Sequence, residues 1–121
     1  IQEPVNLDNP VSFVIDGDIF VLTGSGDVIQ LTNGKRGSFR LSLIEPSLEK
    51  PTAIWTYNDV NNLYILEPKN KRVLVLSKEG KLLGQYTDPA WQNPTGMIVE
   101  ESKKRIYILD NNTIYRFEMN H

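Results

Sequence analysis

The sequence contains no cysteine, and its single histidine is the last residue, His121. The first absence removes disulfide frameworks, thiolate metal sites and thiol nucleophiles. The second removes Ser-His-Asp chemistry and multi-histidine metal centres unless another chain supplies the parts. No apolar run approaches the roughly 20 residues of a helical membrane span. Neither charge sign dominates. Thirteen Lys and Arg against fifteen Asp and Glu leave a net charge of −2, which argues against a protein held on nucleic acid by bulk phosphate attraction. Sustained 3.6-residue periodicity is missing too, and prolines interrupt most windows where a helix would fit. Ile1 opens the chain without a Met or a signal-like segment, so any targeting sequence is expected to lie outside it. What is present suffices for a core: 121 residues make one ordinary domain, and 40% hydrophobic residues are too many for a disordered chain.

An internal repeat organises the chain. IQEPVNLDNP (1–10), LIEPSLEKP (43–51) and YTDPAWQNP (86–94) share an acid-Pro pair, a short stretch with one large apolar residue, and a second Pro. The first prolines, Pro4, Pro46 and Pro89, are spaced by 42 and 43; the second, Pro10, Pro51 and Pro94, by 41 and 43. A period near 42 residues makes just under three copies. The bodies align as well: Phe20, Tyr64 and Tyr107 coincide, as do Leu22, Leu66 and Leu109. These runs are β-branched and aromatic, broken at Asp16-Gly17, Asn33-Gly34 and Glu79-Gly80, the pattern of strands joined by tight hairpin turns.

Four antiparallel strands per repeat are the unit of a β-propeller; in the second copy they are expected near 52–58, 62–67, 71–77 and 81–87. The expected fold is therefore all-β, with blades at 10–50, 51–93 and 94–121. The last blade lacks its fourth strand, and residues 1–9 form the end of a preceding one. The competing architecture is a single irregular sandwich of eleven strands.

The stretch NNLYILEPKNKRVLVLSKEGKLLGQY, followed by PTGMIVEESKKRIYILD, resembles the NHL repeat and its YVTN-type relatives. The matching positions are Pro94-Thr95-Gly96, Ile106-Tyr107-Ile108-Leu109-Asp110, Asn70-Lys71-Arg72 and Gly80-Lys81. Glu67 departs from the family's Asp, and the first copy carries Thr23 with a Gly-Ser-Gly loop. The resemblance covers most of 10–119 and implies a propeller. It fixes no activity, because such propellers include protein- and RNA-binding modules, lyases and lactonase-like hydrolases.

On a propeller, the loops 4–10, 45–51 and 88–94 gather on one face with 23–27, 67–71 and 110–112. They offer Glu45, Glu67, Lys69, Asn70, Asp88, Trp91, Gln92, Asp110 and Asn111. Carboxylates, amides and an indole can hold a sugar, a peptide or a cation. From this set Glu67, Asn70, Trp91, Asp110 and Asn111 are the candidate ligand-binding residues. The competing structural roles are specific. By analogy with the family's Asp, Glu67 and Asp110 would tie down loops through backbone amides. Trp91 aligns with Leu48 and Leu7 and would plug the gap between blades. Trp55 aligns with Val14 and Ile98, as core.

The basic turns Lys35-Arg36 and Lys103-Lys104-Arg105 have acidic neighbours and read as solvated turns. Asn111-Asn112-Thr113 fits a glycosylation pattern but falls in a two-residue turn. With no internal His and no carboxylate recurring at one strand position in all three copies, the expectation is a non-catalytic scaffold or binding module. No cofactor or metal is expected, and the partner is a protein, peptide or glycan. The alternatives are a piece of an NHL-like lyase or hydrolase, then an RNA-binding domain. Three blades do not close a ring, so a homo-oligomer or the further blades of a longer chain are expected as well. Two copies would make six blades, with residues 1–4 of each completing the other's last blade. The outer faces are expected to carry residues such as Phe13, Phe20, Trp55, Tyr64, Ile98 and Tyr107.

Overall fold

The computed structural model describes Leu7, residues 9–56 and residues 61–119. Among the described residues, eleven strands form three separate antiparallel sheets. The first holds β1 (Pro10–Asp16), β2 (Asp18–Thr23), β3 (Val28–Thr32) and β4 (Lys35–Arg36), in that order. The second holds β5 (Ala53–Trp55), β6 (Asn62–Glu67), β7 (Arg72–Ser77) and β8 (Leu82–Thr87). The third holds β9 (Pro94–Glu100), β10 (Arg105–Asp110) and β11 (Thr113–Glu118), with one 3-10 turn at Glu101–Lys103. Among the described residues no ladder joins one sheet to another, so the single-sandwich alternative does not apply. The expected fourth strand of the last sheet from residues 1–4 lies outside the described residues, as do residues 57 and 58 of the expected 52–58 strand.

Turn chemistry closes these hairpins. Gly17 (φ +69) and Gly34 (φ +80) stand in turns that need positive φ, where a residue without Cβ pays no steric penalty.

Side-chain alternation then builds the core. Phe20, Leu22 and Val28 of the first sheet meet Ile54, Leu63, Ile65, Leu74 and Leu76 of the second. From the second sheet's other face, Tyr64, Leu66, Val73 and Val75 meet Val99, Ile106 and Ile108 of the third. Period-2 alternation thus gives β6 and β7 two apolar faces, and every residue of Leu63–Glu67 and Arg72–Leu76 is buried. The middle sheet is sandwiched.

The repeat predicts these faces correctly but assigns three residues to the wrong place. Phe20 and Tyr64 do not lie on outer faces; they are buried between consecutive sheets, and Trp55 is half-buried with its ring edge against Tyr64 at 5.8 Å. The reason is register. Positions 20, 64 and 107 all face the following sheet, so only Tyr107 of the three lacks one among the described residues.

β4 is only two residues long. Beyond Gly37, whose N–H donates to the Gln30 carbonyl, the chain leaves the first sheet. The Arg40 and Ser42 N–H groups donate to the Glu79 and Gly80 carbonyls of the second sheet's last turn. Gly80 (φ +104) is required there, because a Cβ would collide with the Arg40 carbonyl. Two contacts between ends of neighbouring sheets pin the stack: Lys78 pairs with Asp16, and the Tyr64 hydroxyl donates to Glu101. Burial first, then the bond to Glu101, holds the Tyr64 hydroxyl well above the usual tyrosine range.

Candidate functional site

The β2–β3, β6–β7 and β10–β11 turns share one end of the stack with the connections between sheets. Their first residues, Thr23, Glu67 and Asp110, are all buried. Glu67 ends β6, facing Arg72 at the start of β7. One carboxylate oxygen accepts from Arg72 Nε; the other accepts from Asn70 Nδ2 at 3.0 Å and from the Glu49 N–H. The Arg72 guanidinium also donates to Gln85 Oε1 at 2.9 Å and to the carbonyls of Glu45 (3.4 Å) and Pro46 (2.5 Å). One buried ion pair therefore ties β6, β7, β8 and the incoming 45–49 connection together. Its donors and acceptors converge on protein groups, the arrangement that makes a buried charge tolerable.

Asp110 repeats the tie without the arginine. Its oxygens accept from the Gln92 N–H (3.0 Å) and the Asn93 N–H (2.6 Å) of the next connection. In the first sheet Thr23 replaces the acid. Its hydroxyl accepts from the Asp27 N–H at 3.0 Å, and the loop is held by the Gly24 N–H on the Asn9 carbonyl at 2.8 Å. Glu67 and Asp110 thus fix the incoming connection with their side chains, whereas in the first sheet Thr23 holds its own turn and a backbone bond fixes the junction.

Trp91 points inward. It is fully buried in the core between the second and third sheets, stacked on Phe117 at 5.3 Å, and its indole N–H has no acceptor among the described residues. Leu48 occupies the equivalent place between the first and second sheets, and Leu7 packs against Val21, Ile29 and Leu31 of the first. Of the five candidate residues, Glu67 and Asn70 meet directly at one tie, and Asp110 forms another. Trp91 fills the core. Asn111, at φ 54 in the β10–β11 turn, is exposed.

Glu45, Lys69 and Gln92 are exposed around them, and Lys69 pairs with Glu49 at 2.9 Å. Asp88 caps its own turn by accepting from the Ala90 N–H at 2.9 Å. A concavity of about 430 Å³ beside this end is lined by Ser25, Ser42, Leu43 and Ser47, with Leu43 largely exposed. Among the described residues no three His, Cys, Asp or Glu side chains gather to hold a metal ion. At the other end the basic 103–105 turn is paired: Lys104 with Glu101 at 2.8 Å, Arg105 with Glu118 at 3.3 Å and Lys103 with Glu100 at 3.8 Å.

Arg72 is the residue that sequence reasoning left out of the site. Its signal was available: a lone arginine opening an otherwise apolar strand, RVLVLS, directly opposite an acid.

A scan against protein-family models finds no match, and a search of curated protein sequences finds none either. Solved structures do match in fold. Over 92% of this chain and 37% of the other, the TM-score is 0.71 at 14% identity with a putative 6-phosphogluconolactonase from Bacteroides uniformis. A chain of a nidogen/laminin complex gives 0.66 at 15% identity, over 90% of this chain and 44% of that one. Virginiamycin B lyase from Staphylococcus aureus gives 0.60 at 16% identity, over 93% and 42%. The chain spans about two fifths of the length of these structures. They are β-propellers, and the three stacked sheets are propeller blades. At these identities the likeness shows the fold and assigns no activity.

Proposed function

We propose that this segment is a non-catalytic part of an NHL-type β-propeller whose loop face binds a protein, peptide or glycan. The observation that carries the reading is the direction of the loop carboxylates. Glu67 and Asp110 are buried and turned onto their own connections, while Glu45, Lys69, Gln92 and Asn111 stand exposed above them. A rigid floor that presents varied polar side chains suits recognition, since binding residues concentrate on loops held by a scaffold. The NHL assignment rests on the repeat grammar: Pro94-Thr95-Gly96 at the start of an innermost strand, and an acid at the end of β6 and β10. One of the matched structures is of a nidogen/laminin complex, which supports a protein as partner.

Glycan and peptide arrays probed with the chain, beside a Lys69→Ala, Gln92→Ala, Asn111→Ala variant, test the reading. A signal that the variant loses while its circular dichroism is unchanged is expected. Turnover of a streptogramin or a sugar lactone by the chain would overturn the non-catalytic reading.

A further inference from the structure

The fourth strand of the first blade stops short for a local reason. β3 and β4 pair in a register that sets Leu31 opposite Arg36 and Thr32 opposite Lys35. Continued past Arg36, the same register would set Phe39 opposite Val28, with the Phe39 N–H on the Val28 carbonyl. The Gln30 side chain takes that donor instead. Phe39 N–H donates to Gln30 Oε1 at 3.0 Å, and Gln30 Nε2 is held on Asp18 Oδ2 at 2.7 Å. The Phe39 ring then meets Phe20 edge-on at 5.8 Å, in the core shared with the second blade. The ladder ends with the Gly37 N–H on the Gln30 carbonyl at 2.8 Å.

That departure leaves backbone groups open on the rim of the blade. The groups on one edge of a strand belong to alternate residues, so those of Val28 and Gln30 face the rim while those of Ile29 and Leu31 face β2. The Val28 N–H is satisfied by Asp27 Oδ1 at 2.8 Å, and the Gln30 carbonyl by Gly37. The Val28 carbonyl and the Gln30 N–H have no partner among the described residues. Between β3 and the departing chain lies a notch of about 290 Å³, lined by Asp27, Val28, Gln30, Arg36, Phe39 and Arg40. Both of its sides come from residues 27–41, beside a junction whose two blades are in place.

An open carbonyl and an open N–H two residues apart on one edge match a single residue of a parallel strand, whose N–H bonds the first and whose carbonyl bonds the second. An antiparallel strand needs both groups of one residue, and Val28 and Gln30 each have one engaged already. Charge selects the side chain. Arg36 and Arg40 are exposed at the notch, and neither pairs with an acid among the described residues. We propose that this notch takes an extended acidic segment of a partner protein as an added parallel strand. One residue of the segment donates to the Val28 carbonyl and accepts from the Gln30 N–H, and its carboxylate meets Arg36 and Arg40. Main-chain bonds supply the affinity and the arginines the selectivity, as in other strand additions to open sheet edges. The notch belongs to the first blade, whereas Lys69, Gln92 and Asn111 lie on turns and connections of the later blades. The proposal does not rest on the binding reading above.

Fluorescein-labelled, end-capped peptides titrated into the chain and followed by anisotropy test it. The probes are Thr-Val-Glu-Val-Thr, its Lys counterpart Thr-Val-Lys-Val-Thr, and the Glu peptide methylated on the Glu nitrogen. The Glu peptide is expected to bind, and the other two to bind about tenfold more weakly or worse, one for its charge and one for its lost donor. Arg36→Glu and Arg40→Glu, with circular dichroism unchanged, should each weaken the Glu peptide by a similar factor; Arg36→Gln or Arg40→Gln replaces a variant that fails to fold. Hydrogen exchange of the Gln30 amide should slow when the Glu peptide is bound. No binding of the Glu peptide up to millimolar concentration, equal binding of the three peptides, or unchanged exchange at Gln30 would overturn the proposal. So would full affinity in both arginine variants. Loss of binding in the Lys69→Ala, Gln92→Ala, Asn111→Ala variant would put the peptide on the loop face and overturn the rim site.

Discussion

Removing either partner of the Arg72–Glu67 pair should be among the most damaging single changes in this protein. The Arg72 side chain is 1% exposed and Glu67 is 0% exposed, so neither charge can turn to water when its partner is lost. Breaking a buried pair from one side costs about 3–5 kcal/mol, because it strands an uncompensated charge. The two deletions should differ. In Arg72→Met, Glu67 keeps only Asn70 and the Glu49 N–H as donors. In Glu67→Leu, Arg72 keeps three neutral acceptors, Gln85 and the Glu45 and Pro46 carbonyls. Arg72→Met is therefore expected at the upper end of the range and Glu67→Leu at the lower.

The double variant is the informative one. With both charges gone, no ion is buried alone, and replacing a whole pair by apolar groups is often near neutral. Here the carbonyls of residues 45 and 46 and the Glu49 N–H would still lose partners, at about 1 kcal/mol each or somewhat more. The double variant should thus cost clearly less than the two single costs added, a coupling of about 3 kcal/mol or more. Urea unfolding followed by tryptophan fluorescence, at one fixed chain concentration, measures the cycle. Single-variant costs below about 1 kcal/mol, or additive costs, would show that the pair is solvated and that the reasoning from its burial is wrong.

Three further outcomes are expected. Trp91→Ala should cost about 3–5 kcal/mol as a large core truncation, whereas Trp91→Phe should cost far less, because it keeps a ring on Phe117 and removes an unpartnered indole N–H; denaturant melts of both variants separate the two effects. Asp110→Ala should release the Gln92 and Asn93 amides, at about 1–3 kcal/mol, and raise their hydrogen-exchange rates well above those of the Glu49 amide, which Glu67 still holds. The Tyr64 hydroxyl keeps its proton in the fold to a higher pH than in the unfolded chain, so its contribution is complete below the ordinary tyrosine value of 10.0 and falls away above it. Thermal melts should drop more steeply above about pH 10 in the wild type than in Tyr64→Phe, and parallel curves would refute the assignment.

How much of this was legible in the sequence follows from what each feature depends on. The stacked sheets were legible because they rest on local signals repeated in register: prolines every 42 residues or so, turn pairs such as Asn33-Gly34, and aromatic residues at one strand position. The length of β4 was not. The run from Gly37 to Ile44 alternates like a strand, yet two of its N–H groups bond to carbonyls of the Glu79-Gly80 turn, which is nearby only after the second blade has packed. A competition between two ladders is settled by distance in space, and no local pattern encodes it. The loop carboxylates fall between these cases. Their positions could be read from the repeat, but whether they faced outward or inward depended on what each connection offered. The amides of residues 49, 92 and 93 point into the junction, and those donors drew Glu67 and Asp110 away from solvent. Thr23 makes the same point from the other side. Where the Asn9 carbonyl meets the Gly24 N–H directly, backbone already closes the junction, and a hydroxyl suffices where the later blades use a charge. The variation among Thr23, Glu67 and Asp110 therefore tracks the backbone each junction leaves unpaired. The exposed polar residues at this end lie one step further out, at Lys69, Gln92 and Asn111.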